Sequence, residues 1–296
     1  MNAPPSALRE PGEASDLESH LRSLAQGVLE RMDAAIRDRG RMGVETKHGP
    51  QDLVTTADRA LEAWLFEVTS HAYPRDGFLG EERGWRRGPT GRRDWIIDPI
   101  DGTTNFVSGL PWSCCSVALL EGGEPVAGLV AESSRHDLYL TAGRDRPSEL
   151  NGKRTEVAGD PSLAGKLVLL ELPADAPPGT LEAVEVEVRR RGGGVRVMGA
   201  AALALAAVAA GQAHAAVLAA PSAWDVAAGV ALVRHAGGVV LGLEGGYQLE
   251  AGGPVIAGCA AVSAQLQEAT RRCALEALAS SPLPVAATTD APMKES

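Results

Sequence analysis

The chain has 296 residues, 45% of them hydrophobic and 22% charged, a balance that supports a sizeable buried core and argues against disorder. Acidic residues outnumber basic ones 38 to 28, giving a net charge of −10, which disfavours a nucleic-acid or anionic-membrane binder. An anionic ligand would need local help, from a cation or a helix N-terminus.

Residues 1–14 are rich in Pro, Ser, Glu and Ala, with no basic or apolar leader pattern, and are expected to form a disordered tail on a cytoplasmic protein. Leu17, Leu21, Leu24, Val28, Leu29, Met32 and Ile36 recur at three- and four-residue steps, which predicts a helix over Asp16–Arg37. Thr55, Thr56 and Asp58 suit a helix start before Leu61, Trp64, Leu65 and Val68, and Tyr73-Pro74 ends it. Short apolar runs predict strands at Asp94–Asp98, Cys114–Leu120, Pro125–Glu132 and Asp137–Ala142, with a hairpin turn at 121–124. Cys114 and Cys115 sit in such a run, and with Cys259 and Cys273 they show no CxxC spacing, so neither a zinc site nor a disulfide framework is expected. Turn formers cluster at 144–165 and suggest a boundary between a lobe over 15–150 and a second over 151–279.

Beyond it the pattern alternates: strand Lys166–Glu171, helix Thr180–Arg191, strand Val195–Met198, helix Ala200–Gly211, strand Ala215–Leu218, helix Asp225–His235, strand Val239–Leu241. This alternation implies layered α/β packing. Gln212 and His214 interrupt the alanine-rich stretch 199–220, which therefore reads as a buried helix and not a membrane span. Residues 280–296 are expected to form a second tail.

Asp98-Pro99-Ile100-Asp101-Gly102-Thr103-Thr104-Asn105-Phe106 carries most of the chemical signal. Two aspartates three apart at a strand end can aim their carboxylates into one small volume, where repulsion favours a hard divalent cation between them. Gly102 lets the main chain approach a ligand, so amides of Gly102, Thr103 and Thr104 can face a phosphate. The plainer alternative is an Asx-type turn with surface aspartates. Gly80-Glu81-Glu82 is a second acidic pair, or simply a solvated loop. Trp224-Asp225-Val226-Ala227-Ala228-Gly229 places an Asp at a helix start, where capping is its ordinary role.

In this order the segments resemble the inositol monophosphatase family of metal-dependent phosphatases. Lys47 with Asp52-Leu53-Val54-Thr55-Thr56-Ala57-Asp58 is similar to its first motif, Gly80-Glu81-Glu82 to its second, Trp95–Phe106 to its third and Trp224–Gly229 to its last. The Thr103-Thr104-Asn105 form resembles the inositol and histidinol phosphatase branches. The resemblance implies an α+β fold, a layered αβαβα sandwich shared with fructose bisphosphatases, dimeric in most members, with the site between the lobes. It implies that Glu81, Asp98 and the carbonyl of Ile100 hold one Mg²⁺, that Asp98, Asp101 and Asp225 hold a second, and that a third, weaker ion leans on Glu81. Thr103, bonded to Asp58, would orient the attacking water; amides of Gly102 and Thr103, with Thr104 beside them, would meet the phosphoryl oxygens; Lys47 would balance the acidic loop. The substrate would be a small phosphorylated metabolite, a polyol, sugar or inositol phosphate, lying near Asp101, Gly199, Ala200, Ala201 and Leu218.

The chain departs from the family in two places. Ala200 stands where many relatives carry a hydroxyl, and Leu218, seven residues before Asp225, stands where inositol phosphatases place a Glu against a sugar hydroxyl. An apolar group cannot accept that bond, so weaker binding of inositol is expected. Two alternatives keep the same frame: a histidinol-phosphate phosphatase, and a non-catalytic member that binds phosphate ligands or partner proteins.

Overall fold

Leucines and valines on one helical face turn Ala14–Arg37 into α1, with Leu21, Leu24, Val28 and Met32 buried. The computed structural model describes residues 14–38, 40, 43–46, 53–89, 91–173, 176–177 and 179–280. Apart from Ala14 and Ser280, the two expected tails lie outside the described residues, and so does Lys47. A short hairpin, β1 (Val44–Thr46) against β2 (Leu53–Thr55), delivers the chain to α2 (Thr56–Ala72). A capping box starts α2: the Thr55 side chain accepts from the Asp58 amide and the Asp58 carboxylate accepts from the Thr55 amide.

Eight strands form the first sheet: β3 (Gly77–Gly80), β4 (Gly84–Arg86), β5 (Arg93–Asp101), β6 (Cys114–Glu121), β7 (Glu124–Glu132), β8 (Leu138–Ala142), β9 (Glu149–Leu150) and β10 (Lys153–Arg154), in the order β10-β9-β8-β7-β6-β5-β3-β4. All neighbours are antiparallel except β3 and β5, which run parallel. A single helical turn and a half, α3 (Thr103–Ser108), follows β5. The strand at Asp94–Asp98 proves longer than its apolar run suggests, continuing through Pro99 to Asp101 with a register irregularity between Asp98 and Asp101.

The second sheet has the order β12-β11-β13-β15-β14, built from β11 (Leu167–Glu171), β12 (Gly194–Arg196), β13 (Ala215–Leu218), β14 (Val239–Leu241) and β15 (Val255–Gly258). With it come α4 (Glu182–Arg190), α5 (Ala201–Ala209), α6 (Ala223–His235) and α7 (Ala260–Ser280). The chain crosses between sheets over residues 155–166.

Helices α1 and α2 cover one face of the first sheet, α5 and α6 lie between the sheets, and α4 and α7 cover the far face of the second. The result is an α+β sandwich with αβαβα layering. Burial on all sides explains why α5 and α6 are apolar around their whole circumference. Their small residues permit close approach: a Cβ on Gly229 would lie 2.4 Å from Leu205 Cβ. The sequence pattern assigns nothing between Leu241 and Ser280, where β15 and α7 form. Val262, Leu266, Ala269 and Cys273 make the buried stripe of α7, but Ser263, Gln267 and Thr270 are buried beside them and blur the periodicity. No helix among the described residues is long and apolar enough to cross a membrane.

Candidate metal and phosphate site

Parallel pairing aligns Gly80 with Ile97, and the Glu81 amide extends that pairing by donating to the Ile97 carbonyl at 3.2 Å. Glu81 therefore leaves β3 beside Asp98 on β5. Asp98 is buried, its Oδ1 has no hydrogen-bond partner, and its carboxyl is pushed well above the usual range by burial, then by the charges of Glu81, Asp101 and Asp225, and by a hydrogen bond with Glu81. Three residues on, Asp101 is buried opposite Cys114. Its carboxyl is pushed up to about 7 by burial and by the charge of Glu171, against the pull of N–H groups from Ala202, Leu203 and Ala201. Those amides, Ala201 at 3.1 Å and Ala202 at 2.8 Å, begin α5, so Asp101 also caps that helix from another sheet.

Gly102 follows with φ 80° and ψ 40°, and a Cβ there would lie 2.6 Å from the Trp112 carbonyl and 3.2 Å from Ala200 Cβ. Only glycine satisfies both the left-handed backbone and that space. The Thr103 hydroxyl lies 2.9 Å from the Ile100 carbonyl and 3.3 Å from Asp58 Oδ1. The other Asp58 oxygen accepts from the Thr55 amide at 2.8 Å and from the Thr55 hydroxyl. Burial raises the Asp58 carboxyl to about 6 despite the Thr55 bonds, with the charges of Glu81 and Glu82 adding to the rise. Thr104 is exposed on the first turn of α3.

Asp225 sits in the first turn of α6, where its Oδ2 accepts from the Ser222 amide at 2.7 Å. The capping role and a place beside Asp98 thus coexist. Ser116, opposite Asp98 on β6, reaches the Trp224 carbonyl at 3.4 Å and links the two elements.

Gly199, Ala200 and Ala201 come together beside Asp101 and Gly102. Two residues to which sequence reasoning assigned no role hold this turn. Glu171 accepts from the Met198 amide at 2.9 Å and the Gly199 amide at 2.8 Å, and burial lifts its carboxyl to about 7. Asn105 donates to the carbonyls of Trp112 and Met198, both at 2.8 Å, and of Gly199 at 3.2 Å. Asn105 belongs to the third motif and was in view; Glu171 ends a predicted strand and carried no local signal. Leu218 and Ala200 need correction as substrate contacts. Each is 1% exposed and packed in the core between the sheets, Leu218 at the end of β13 and Ala200 just before α5, so neither side chain meets a ligand in a cleft.

Among the described residues no three His, Cys, Asp or Glu side chains already stand as a metal cage. The donor set nevertheless fits a hard cation: the orphaned Asp98 Oδ1 lies among carboxylates whose charges resist one another. Capping does not exhaust Asp101 or Asp225, since an ionised carboxylate offers about four lone-pair sites.

Comparison with known proteins agrees with this geometry. A family model described as the inositol monophosphatase family matches residues 13–279. An inositol-1-monophosphatase of Mesorhizobium japonicum is 38% identical over 226 residues, covering 76% of this chain and 85% of the relative. The Nus factor SuhB of Pseudomonas aeruginosa is 38% identical over 214 residues, covering 70% and 79%. The crystal structure of extragenic suppressor protein suhB from Bartonella henselae superposes with a TM-score of 0.82 at 31% identity, covering 87% of this chain and 99% of that one. With its carboxylates at the ends of β3 and β5 and this likeness along nearly its whole described length, the chain belongs to the inositol monophosphatase family.

Proposed function

We propose that the protein is a Mg²⁺-dependent phosphomonoesterase acting on a small polyol, sugar or inositol phosphate, as a homodimer holding two to three ions per site. The observation that carries this reading is the buried Asp98 carboxylate with an unpartnered Oδ1, facing the charges of Glu81, Asp101 and Asp225. Glu81, Asp98, the Ile100 carbonyl, Asp101 and Asp225 would hold the metal, which when bound neutralises phosphate charge and acidifies water. The chain's own residues do the rest. The Thr103 hydroxyl has one proton and two nearby acceptors, Ile100 and Asp58, so its lone pairs remain to orient a water for attack on phosphorus. With its carboxyl near 6, Asp58 is ionised at neutral pH and can take the proton that the water loses through Thr103. The ester P–O bond breaks with its electron pair on the alkoxide, which is protonated from solvent. Amides of Gly102 and Thr103 would stabilise the phosphoryl oxygens, and Thr104 lies beside them.

Gly199 and Ala201 lie beside Gly102 and Asp101 and would offer an alcohol moiety few hydrogen-bonding groups there. The test is phosphate release from inositol, histidinol, sugar and nucleotide monophosphates, with EDTA and then with added Mg²⁺. Loss of turnover in EDTA and its return with Mg²⁺ is expected; undiminished turnover in EDTA overturns the reading. Relatives called Nus factor SuhB favour a second reading, a member that binds without turnover, which predicts metal binding with no phosphate release from any of these esters.

A further inference from the structure

The loop carrying Glu81 is held by a group that none of the motifs contains. Glu62 lies on α2, four residues after Asp58, with its side chain 2% exposed. Its Oε2 accepts from the Glu82 amide at 2.8 Å, and the Arg83 amide donates to the same carboxylate. Its Oε1 lies 3.9 Å from the Arg83 guanidinium, which stacks over Phe66 at 5.5 Å. A Cβ on Gly80 would lie 2.4 Å from Glu62 Oε1, so the residue before Glu81 leaves room for this carboxylate. Beside the loop lies a solvent-open pocket of ≈ 170 Å³ bordered by Glu62, Phe66, Phe78, Arg83, Arg86 and Ile97, so on that side the loop tip is not covered by other protein. Strand pairing holds the ends of the loop, Gly80 against Gly84 and the Glu81 amide on the Ile97 carbonyl, and Glu62 is the side chain that holds its tip at Glu82.

We propose that Glu62 is a positioning residue for Glu81: it clamps the amides of Glu82 and Arg83 so that the Glu81 carboxylate faces Asp98, and it thereby sets the affinity of the site for a divalent cation. This rests on the metal-dependent reading above. A carboxylate is suited to the task because it accepts two N–H groups at once and tolerates Arg83 beside it. Glutamine at this position keeps one acceptor and turns an N–H₂ toward the second amide. Alanine keeps none and enlarges the pocket.

The test compares wild type, Glu62→Gln, Glu62→Ala, Glu81→Gln and the double variant Glu62→Ala/Glu81→Gln, by Mn²⁺ and Mg²⁺ calorimetry and by amide hydrogen exchange. Glu62→Ala is expected to weaken metal binding by about tenfold or more and to accelerate exchange at Glu82 and Arg83 while α1 keeps its protection. Glu62→Gln should fall between. In the Glu81→Gln background, Glu62→Ala should change affinity no further, because the clamp then has no ligand to place. An equal loss in both backgrounds, or none in either, overturns the proposal. If wild type binds no divalent ion and Glu81→Gln changes nothing, the metal-dependent reading has failed. Exchange at the Glu82 and Arg83 amides then still decides the clamp, and unchanged protection in Glu62→Ala overturns it.

Discussion

Asp98 is stabilising for the proposed chemistry and destabilising for the metal-free fold, because one buried carboxylate opposes three others. Asp98→Asn removes that charge without changing volume. It should lower phosphatase turnover by about 10³-fold or more and raise the unfolding free energy in EDTA by about 1 kcal/mol, read from urea midpoints. Loss of both activity and metal-free stability would place Asp98 in a structural role only. Thr103 separates differently. Thr103→Val deletes the hydroxyl shared by Ile100 and Asp58 and should cost about 10²-fold in kcat with little change in metal affinity. Thr103→Ser, which keeps the oxygen, should recover most of that rate.

At the scale of elements, the sequence offered Glu81, Asp98, Asp101 and Asp225 as candidates through the order of the motifs and the family they resemble, since taken alone Gly80-Glu81-Glu82 reads as a solvated loop and Asp225 as a helix cap. The groups that dock those elements were not legible. Asn105 reaches Met198, 93 positions away, across the two sheets, and Glu171 reaches Met198, 27 away, beyond the paired strands β11 and β12; such contacts exist only once the tertiary fold has formed. Leu218 was misread for the related reason that a position counted back from Asp225 does not reveal which way the strand turns its side chain. Asn105 offers a test of this docking. Its amide serves three carbonyls across the junction, so Asn105→Ala should destabilise by about 2–3 kcal/mol. Asn105→Asp should be worse, since it sets an acceptor against three acceptors. If Asp is tolerated better than Ala in urea denaturation, the carbonyl arrangement described here is wrong.

For the molecule as a whole, acid sensitivity should depend on a residue outside the carboxylate cluster. His20 on α1 packs edge-on against Tyr73 at 5.0 Å and Trp95 at 5.7 Å between centroids, with Nε2 buried and unpartnered. Charged groups in that corner, Asp16 on α1 and the Arg93–Asp76 pair at 3.3 Å, bear on Tyr73, while burial alone lowers the His20 pKa to about 4. The sign follows from linkage: the unfolded chain binds the proton near pH 6.5, the folded one near 4, so the stabilising preference for neutral His20 is present above pH 6.5 and is lost as pH falls toward 4. The ring is only partly buried, and with solvent screening the loss should amount to about 1–2 kcal/mol. His20→Leu should therefore lose less stability than wild type between pH 7.5 and pH 4.5 in urea titrations. It should also gain slightly at neutral pH, because an unpartnered buried nitrogen is replaced by hydrocarbon. Since carboxylates elsewhere titrate identically in both proteins, the difference between the two pH profiles isolates this ring, and parallel profiles would mean that His20 reaches water in the folded state.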